Sequence, residues 1–366
     1  MREQAKKKKY LFAAVYSLVV AAFTAYVMLD TFVLERVEQS DATAQNTSMF
    51  DGLEVKKLSE DTDTASSEAQ SRETDDSSSQ SESGKASSRS SRRRGKQQSV
   101  DSEAVNEESL SQEESSSAQA GDHESSGSYS DENIAVTINE YYENGTKIYV
   151  ADVRLSSAQY LKTAFANGAY GKNVKATTSD TAQENGAILA INGDYYGARE
   201  KGYVIRNGIV YRSTAESDSE ILCIYADGHF DIISPGEATA DELADMGVWQ
   251  AFTFGPGLID NGSITVTQGQ EVDQAMASNP RTAIGQIDEL HYVFVVSDGR
   301  TSESAGLSLY QLAQFMQSLG CETAYNLDGG GSSTMYFNGE VINNPTGGRS
   351  SDTSERKVSD IVYLGY

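Results

Sequence analysis

Cysteine and histidine are scarce in this sequence: two cysteines, Cys223 and Cys321, and three histidines, His123, His229 and His291. Two cysteines in an extracellular chain could pair once, and sequence does not fix their separation. A domain of roughly 230 residues builds a core without such staples, so both are expected as buried thiols. The histidines are far apart in sequence, which excludes a Cys/His metal cluster. Positive charge is scarce as well: 29 Lys and Arg stand against 54 Asp and Glu, a formal net charge of −25. So acidic a chain is a poor partner for nucleic acid, whose phosphate backbone rewards clustered Lys and Arg. Neither a G-x-x-x-x-G-K-[ST] loop nor a D-x-D-x-D-G loop occurs, which removes a Walker-type nucleotide site and an EF-hand. No internal repeat is present.

Long apolar runs are absent except for one. Arg2 and Lys6 to Lys9 precede an uncharged run from Tyr10 to Leu29. A helix of about 20 such residues spans a hydrocarbon core of ~30 Å. A cleaved secretion signal would have a shorter apolar region, about 7–15 residues, with a small-residue cleavage site. Residues 1–34 are therefore expected to be a basic stub and an uncleaved membrane anchor. The lysines on its N-terminal side place that end in the cytoplasm and everything after Asp30 outside.

Within residues 35–130 the stretch SSEAQSRETDDSSSQSESGKASSRSSRRRGKQQSV is Ser, Glu and Gln with almost no large apolar side chain. Such a segment buries too little surface to offset the entropy of ordering, so residues 35–130 are expected to be a disordered linker. As a flexible coil it would span about 55 Å root-mean-square. Its basic cluster, Arg92, Arg93, Arg94 and Lys96, is expected as a solvated charge run.

The texture changes over residues 131–366. Short apolar or alternating runs are divided by Asn144-Gly145, Asn207-Gly208, Asp227-Gly228, Asn261-Gly262 and Asn338-Gly339, the strongest short hairpin signals. Helical patterns are fewer. In LSLYQLAQFMQSLG, Leu309, Leu312, Met316 and Leu319 form one stripe, with Ser308 as N-cap and Gly320 at the C′ position. SSAQYLKTAFAN and TADELADMG are shorter helix candidates. The expected fold is α+β: a mixed, largely antiparallel β-sheet core with peripheral helices, preceded by one transmembrane helix and the linker.

One stretch stands apart, AYNLDGGGSSTMYFNG over residues 324–339. The helix before it and the strand-like runs on either side put Asp328 at a strand end and the glycines in a loop. Glycines clear a path on which backbone N–H groups converge on an anion, and Ser332, Ser333 and Thr334 add hydroxyl donors. The competing account is a tight turn needing positive φ. Other polar residues also fall at strand ends: Asn192, Gly193 and Asp194 in INGDYYG, Arg281 in NPRTAIG, Asp298 and Arg300 in VVSDGR, Arg356 and Asp360 in RKVSD. An Asx turn at Asn192, a hairpin turn at Asp298-Gly299 and a surface ion pair at Arg356 are the structural alternatives. With its net negative charge the segment would not attract an anion at long range, so short-range forks from Arg281 and Arg300 are the expected contacts.

The ordered pieces INGDYY, GYVIRNG, FGPGLI, NPRTAIG, VVSDGR, LSLYQLAQFMQSLGCETAYNLDGGGSSTMYFNG and RKVSDIVY resemble the phosphodiester glycosidase family over about half the chain. The resemblance implies hydrolysis of the bond between a sugar's anomeric carbon and a phosphate oxygen. Position by position it implies Asp328, Asp298, Asp194 and Arg281 as catalytic candidates. Asn192, Gly193, Arg300, Gly329, Gly330, Gly331, Ser332, Ser333 and Thr334 are the implied substrate-binding set. No metal ligand is assigned, though the carboxylate surplus leaves room for a divalent cation, Ca²⁺ or Mg²⁺. The expected partners are the membrane, through the N-terminal helix, and a carbohydrate or glycopolymer phosphodiester of the surface or exopolysaccharide type. The anchor and Ser-rich linker point to a Gram-positive cell surface. The alternatives are a non-catalytic module that holds anionic glycan, and a transferase that passes the sugar or phospho-polymer to a hydroxyl acceptor.

Overall fold

The computed structural model describes residues 2–38, 45–58, 124–272, 278–347 and 354–366. Most of the expected linker, residues 59–123 with its arginine cluster and His123, lies outside the described residues.

The N-terminal run forms one helix, Arg2–Phe32. Its segment Phe12–Thr31, none of it buried, is long and apolar enough to cross a membrane.

Three antiparallel sheets make the core of the rest. The largest has eight strands and runs from the edge Ser263–Ile264 through Gly257–Asp260, Thr323–Asn326, Arg281–Asp288, His291–Ser297, Thr146–Leu155 and Ile134–Glu143 to Glu124–Ser130. A five-stranded sheet contains Met335–Phe337, Leu189–Asn192, Asp360–Leu364 and Leu161–Phe165 with the edge Glu340–Val341. A second five-stranded sheet is built on Ile221–Tyr225, Val248–Phe252 and Val204–Arg206 with edges Phe230–Ile233 and Ile209–Arg212.

Period-two alternation explains the layering. Along Thr146–Leu155, Tyr149, Ala151 and Val153 point into the main core, while Ile148 and Val150 point the other way. Along His291–Ser297, Tyr292, Phe294 and Val296 share that main core, and Val293 and Val295 take the opposite face. The main core gathers residues of all three sheets, including Leu189, Ile191, Phe252, Met335 and Val362. The opposite face of the large sheet is covered by the helix Leu309–Ser318, which buries Leu309, Leu312, Ala313, Phe315 and Met316.

All strand pairings named above are antiparallel. Four hairpin signals behave as their chemistry requires. Asn144-Gly145, Asn207-Gly208, Asn261-Gly262 and Asn338-Gly339 each carry positive φ at both residues, the signature of a type I′ turn. At Asp227-Gly228 only the glycine does.

The helix Leu309–Ser318 starts at Ser308 with a full capping box to Gln311, and Gly320 takes φ +87° after its end. TADELADMG gives Ala240–Asp245, capped by Thr239 with Glu242. SSAQYLKTAFAN is not a helix. It forms the short 3-10 turn Ala158–Tyr160, then the strand Leu161–Phe165, which is buried along its length. Pairing with Asp360–Leu364 fixes it there, and Asn207 holds the Thr163 backbone from the side, so tertiary contacts override a helical spacing. Cys223 and Cys321 are buried free thiols, and burial pushes the pKa of both up to about 12.

The segment after the N-terminal helix also departs from expectation. Residues 36–38 and 45–58 fall within the expected linker, yet they lie on the folded domain. Arg36–Val37 pairs with Gly171–Lys172, and Phe50 meets Trp249 edge-on at 4.8 Å.

Candidate active site

Two connections between sheets meet at one end of the strands. After Leu189–Asn192 the chain leaves one five-stranded sheet and reaches Val204–Arg206 in the other. After Thr323–Asn326 it leaves the eight-stranded sheet and crosses to Met335–Phe337. DGGGSST is therefore an inter-sheet crossing with a 3-10 turn at Gly330–Ser332, not a hairpin. Asn192 ties the two connections together. Its Nδ2 donates to Asp328 O at 2.6 Å and to Gly193 O at 3.2 Å, and its Oδ1 accepts from Thr282 Oγ1 at 2.9 Å and Thr334 N at 3.3 Å.

Beside this junction opens a cleft of about 260 Å³, lined by Tyr195, Arg199, Phe254, Asn279, Arg281, Arg300, Asn326, Asp328, Gly329, Gly330 and Arg356 among others. Asp328 supplies its carboxylate. The Oδ2 atom accepts from Ser332 Oγ at 2.6 Å and from Arg356 Nη2 at 2.6 Å. Ser332 Oγ in turn accepts from Arg356 Nε at 2.7 Å, which closes a three-membered ring of hydrogen bonds.

Three arginines are held in a common manner. Arg281 is fixed through Nε to Leu307 O at 2.8 Å and Nη2 to Glu271 Oε2 at 2.6 Å. Burial pulls its guanidinium below the usual arginine range, and Glu271 opposes that. Arg300 gives Nε and Nη2 to Asn279 Oδ1, at 3.2 and 2.8 Å. Arg356 is fixed by Ser332 and Asp328. Among the described residues, the Nη1 group of each of the three donates to no protein acceptor. Aromatic rings back two of the cleft's cations: Arg199 lies 5.0 Å over Phe254, and Arg356 lies 5.8 Å over Tyr195.

The glycines do more to shape this site than to donate to it. Gly330 needs its φ of +63°, and a Cβ there would come 2.9 Å from Arg300 Nη2. At Gly329 a Cβ would come 2.8 Å from Pro280 O. The N–H of Gly330 donates to Pro280 O, those of Ser332 and Ser333 close the 3-10 turn, and that of Thr334 goes to Asn192. These N–H groups are thus committed to the protein. Gly331, Ser332, Ser333 and Thr334 do not line the cleft. The hydroxyls of Ser333 and Thr334 are buried with no hydrogen-bond partner among the described residues.

Of the expected carboxylates, Asp328 lines the cleft and the other two do not. Asp298 is buried and accepts from Asn344 N at 2.8 Å, Asn344 Nδ2 at 3.1 Å and Asn343 Nδ2 at 3.3 Å. Asn343 then reaches Ser333 O at 3.1 Å and Met335 N at 2.8 Å, so Asp298 braces the far end of the glycine loop. Asp194 accepts from Tyr196 N at 3.0 Å and Thr253 N at 3.2 Å, and lies 3.1 Å from Arg206 Nη2. Arg206 is fully enclosed and donates through Nε to Asp360 Oδ2 at 2.8 Å. Burial raises the Asp360 carboxyl to about 7, against the pull of Arg206. Gly193 stays bare because a Cβ would run into that carboxylate.

Sequence reasoning kept Arg356 out of the site and gave Arg206, Arg199, Asn279 and Asn326 no part. The signal for Arg356 was there, since it precedes the final strand as Arg281 opens its own. No group of three His, Cys, Asp or Glu side chains suited to a metal ion occurs among the described residues.

Known proteins share this arrangement of chain. The family model for phosphodiester glycosidase matches residues 185–364. That segment belongs to the phosphodiester glycosidase family. A Bacillus subtilis protein, the SPbeta prophage-derived uncharacterized protein YomE, is 30% identical over 204 residues, covering 54% of this chain and 31% of its own length. The mouse N-acetylglucosamine-1-phosphodiester alpha-N-acetylglucosaminidase is 29% identical over 196 residues, covering 49% of this chain and 37% of its own. The chain thus spans about a third of the length of these relatives. The zebrafish enzyme's catalytic domain, auto-inhibited by its pro-peptide, superposes with a TM-score of 0.52 at 19% identity, over 67% of this chain and 88% of that one. That likeness is one of fold.

Proposed function

We propose that the domain hydrolyses glycosyl-1-phosphodiesters, with an N-acetylglucosamine-1-phosphate diester as the first substrate to test. The observation that carries this reading is the set of three guanidinium groups that line one cleft with Asp328, each pinned by the protein on one side with no acceptor for Nη1 among the described residues. In the reaction a water oxygen bonds to the anomeric carbon and the bond from that carbon to the phosphate oxygen breaks. The electron pair leaves with the phosphomonoester, and Asp328 takes the proton from the water. Negative charge grows on the departing phosphate, so fixed cations bind the transition state more tightly than the diester. A phosphate leaves with little help from a general acid, which suits a cleft lined by a single carboxylate among the described residues. The N-terminal helix, long and apolar enough to cross a membrane, supports a site outside it that acts on surface or exopolysaccharide glycopolymers.

The test is incubation of the full chain with a panel of glycosyl-1-phosphodiesters, with and without Ca²⁺, Mg²⁺ or EDTA. Free sugar and phosphomonoester in equal amounts are expected. Binding without turnover across the panel would favour a glycan-holding module, and transfer of the sugar to an added hydroxyl acceptor would favour a transferase.

A further inference from the structure

The described segments on either side of positions 59–123 both lie on the folded domain. On the departing side, Asn46 N donates to Asn207 O at 2.9 Å, Lys56 N donates to Ser156 O at 2.9 Å, and Phe50 packs on the buried Trp249. Glycine keeps the seat open: a Cβ at Gly208 would strike Met49 and Asn46, and one at Gly171 would strike the Arg36 backbone. On the returning side, Glu124–Ser130 pairs along Ile134–Glu143.

The anchor helix is joined to the same body. Its last carbonyls have no partner within a helix. Asn173, buried in the domain with φ +61°, gives its Nδ2 to Thr31 O at 3.0 Å and to Leu34 O at 3.2 Å. Two residues on, Arg36–Val37 pairs with Gly171–Lys172, and Glu38 N donates to Tyr170 O at 2.9 Å. Only residues 33–35 separate the helix from that strand, at most about 14 Å of chain. A coil tether of the whole 35–130 segment would have allowed about 55 Å.

We infer that residues 31–38 and 45–58 form a strap belonging to the folded domain, so that the chain between positions 58 and 124 is not what tethers the domain to the N-terminal helix. The strap holds the domain beside the end of the anchor helix. Joined to the membrane reading above, on which this consequence rests, it restricts the cleft to phosphodiesters close to the bilayer surface.

Cutting the chain between positions 58 and 124 decides the matter. A site-specific protease sequence is inserted between Gly84 and Lys85 of the full, N-terminally tagged chain, and membranes are washed after cleavage. The C-terminal fragment is expected to stay with the membrane pellet, and to be released when the same cut chain also carries Val37→Pro and Phe50→Asp. Release of the fragment with an intact strap would overturn the inference. If the uncut chain is not in membranes, the anchor reading has failed but the strap has not. The cut protein is then captured by its tag: co-elution of the C-terminal fragment supports the strap, and its loss to the flow-through overturns it.

Discussion

Arg356 Nη2 donates to Asp328 Oδ2 at 2.6 Å, so a residue just ahead of the last strand holds the carboxylate of the glycine loop. The pair stands at the cleft with the arginine side chain 42% exposed and the aspartate 11%. Both side chains line the cleft, so the pair faces the space a substrate would occupy. Asp328→Asn is expected to lower kcat/KM by about 100-fold or more, the range for loss of a positioned proton acceptor. Arg356→Ala should lower it as well, and the double variant should fall short of the product of the two losses, because both remove one coupled unit. Strict additivity in the kinetic cycle would mean that the two act separately.

Asp298 gives the contrasting case. Its carboxylate braces Asn343 and Asn344 and does not line the cleft. Asp298→Asn keeps an oxygen for the Asn344 N–H but loses an acceptor for Asn344 Nδ2. Asn344 is exposed, so its freed amide can turn to water, and a stability loss of about 1 kcal/mol follows from one lost hydrogen bond. Denaturant unfolding should record it, with kcat within a few-fold of the parent. A loss of kcat as deep as that of Asp328→Asn, in a folded variant, would put Asp298 in the chemistry.

The contrast shows what a sequence yields. Hairpins built on Asn-Gly, the capped helix at Leu309–Ser318 and the α+β class were legible, because each rests on a local rule: positive φ, a capping box, alternation. Asp328 and Arg281 were legible as polar residues at strand ends. Whether a strand-end carboxylate faces a cleft or a neighbouring loop depends on partners 45 residues away, as with Asp298 and Asn343, and no local rule carries that. The strap at residues 45–58 was lost for the same cause. Met49, Phe50, Leu53, Val55 and Leu58 set it apart from the Ser- and Glu-rich stretch that follows, but what seats it is Trp249, distant in sequence.

Gly330→Ala tests whether the loop shapes the arginine cluster. The φ of +63° strains any side chain, and the new Cβ would press on Arg300 Nη2. The expected cost is about 1 kcal/mol or more from the backbone alone. Displacement of Arg300 should raise KM, whereas a purely structural glycine would lower the melting temperature and leave KM alone. Arg300→Lys, which loses the fork on Asn279, should reproduce the KM change without the stability loss.

The buried group Asp194, Arg206 and Asp360 makes the last prediction, in two parts. Arg206→Met leaves two enclosed carboxylates without their cation, and breaking such a cluster from one side costs about 3–5 kcal/mol. The pH dependence follows from Asp360, whose carboxyl is raised to about 7 by burial. A carboxyl raised on folding favours the folded state while it is protonated. Its contribution is complete below the ordinary carboxylate range and is lost as pH rises towards 7. Asp360→Asn has no proton to lose there. Relative to the parent, its melting temperature should therefore improve between pH 5 and pH 8. An offset that stays constant over that interval, or turns against the variant as pH rises, would mean that Asp360 is ionised throughout and that Arg206 outweighs the burial.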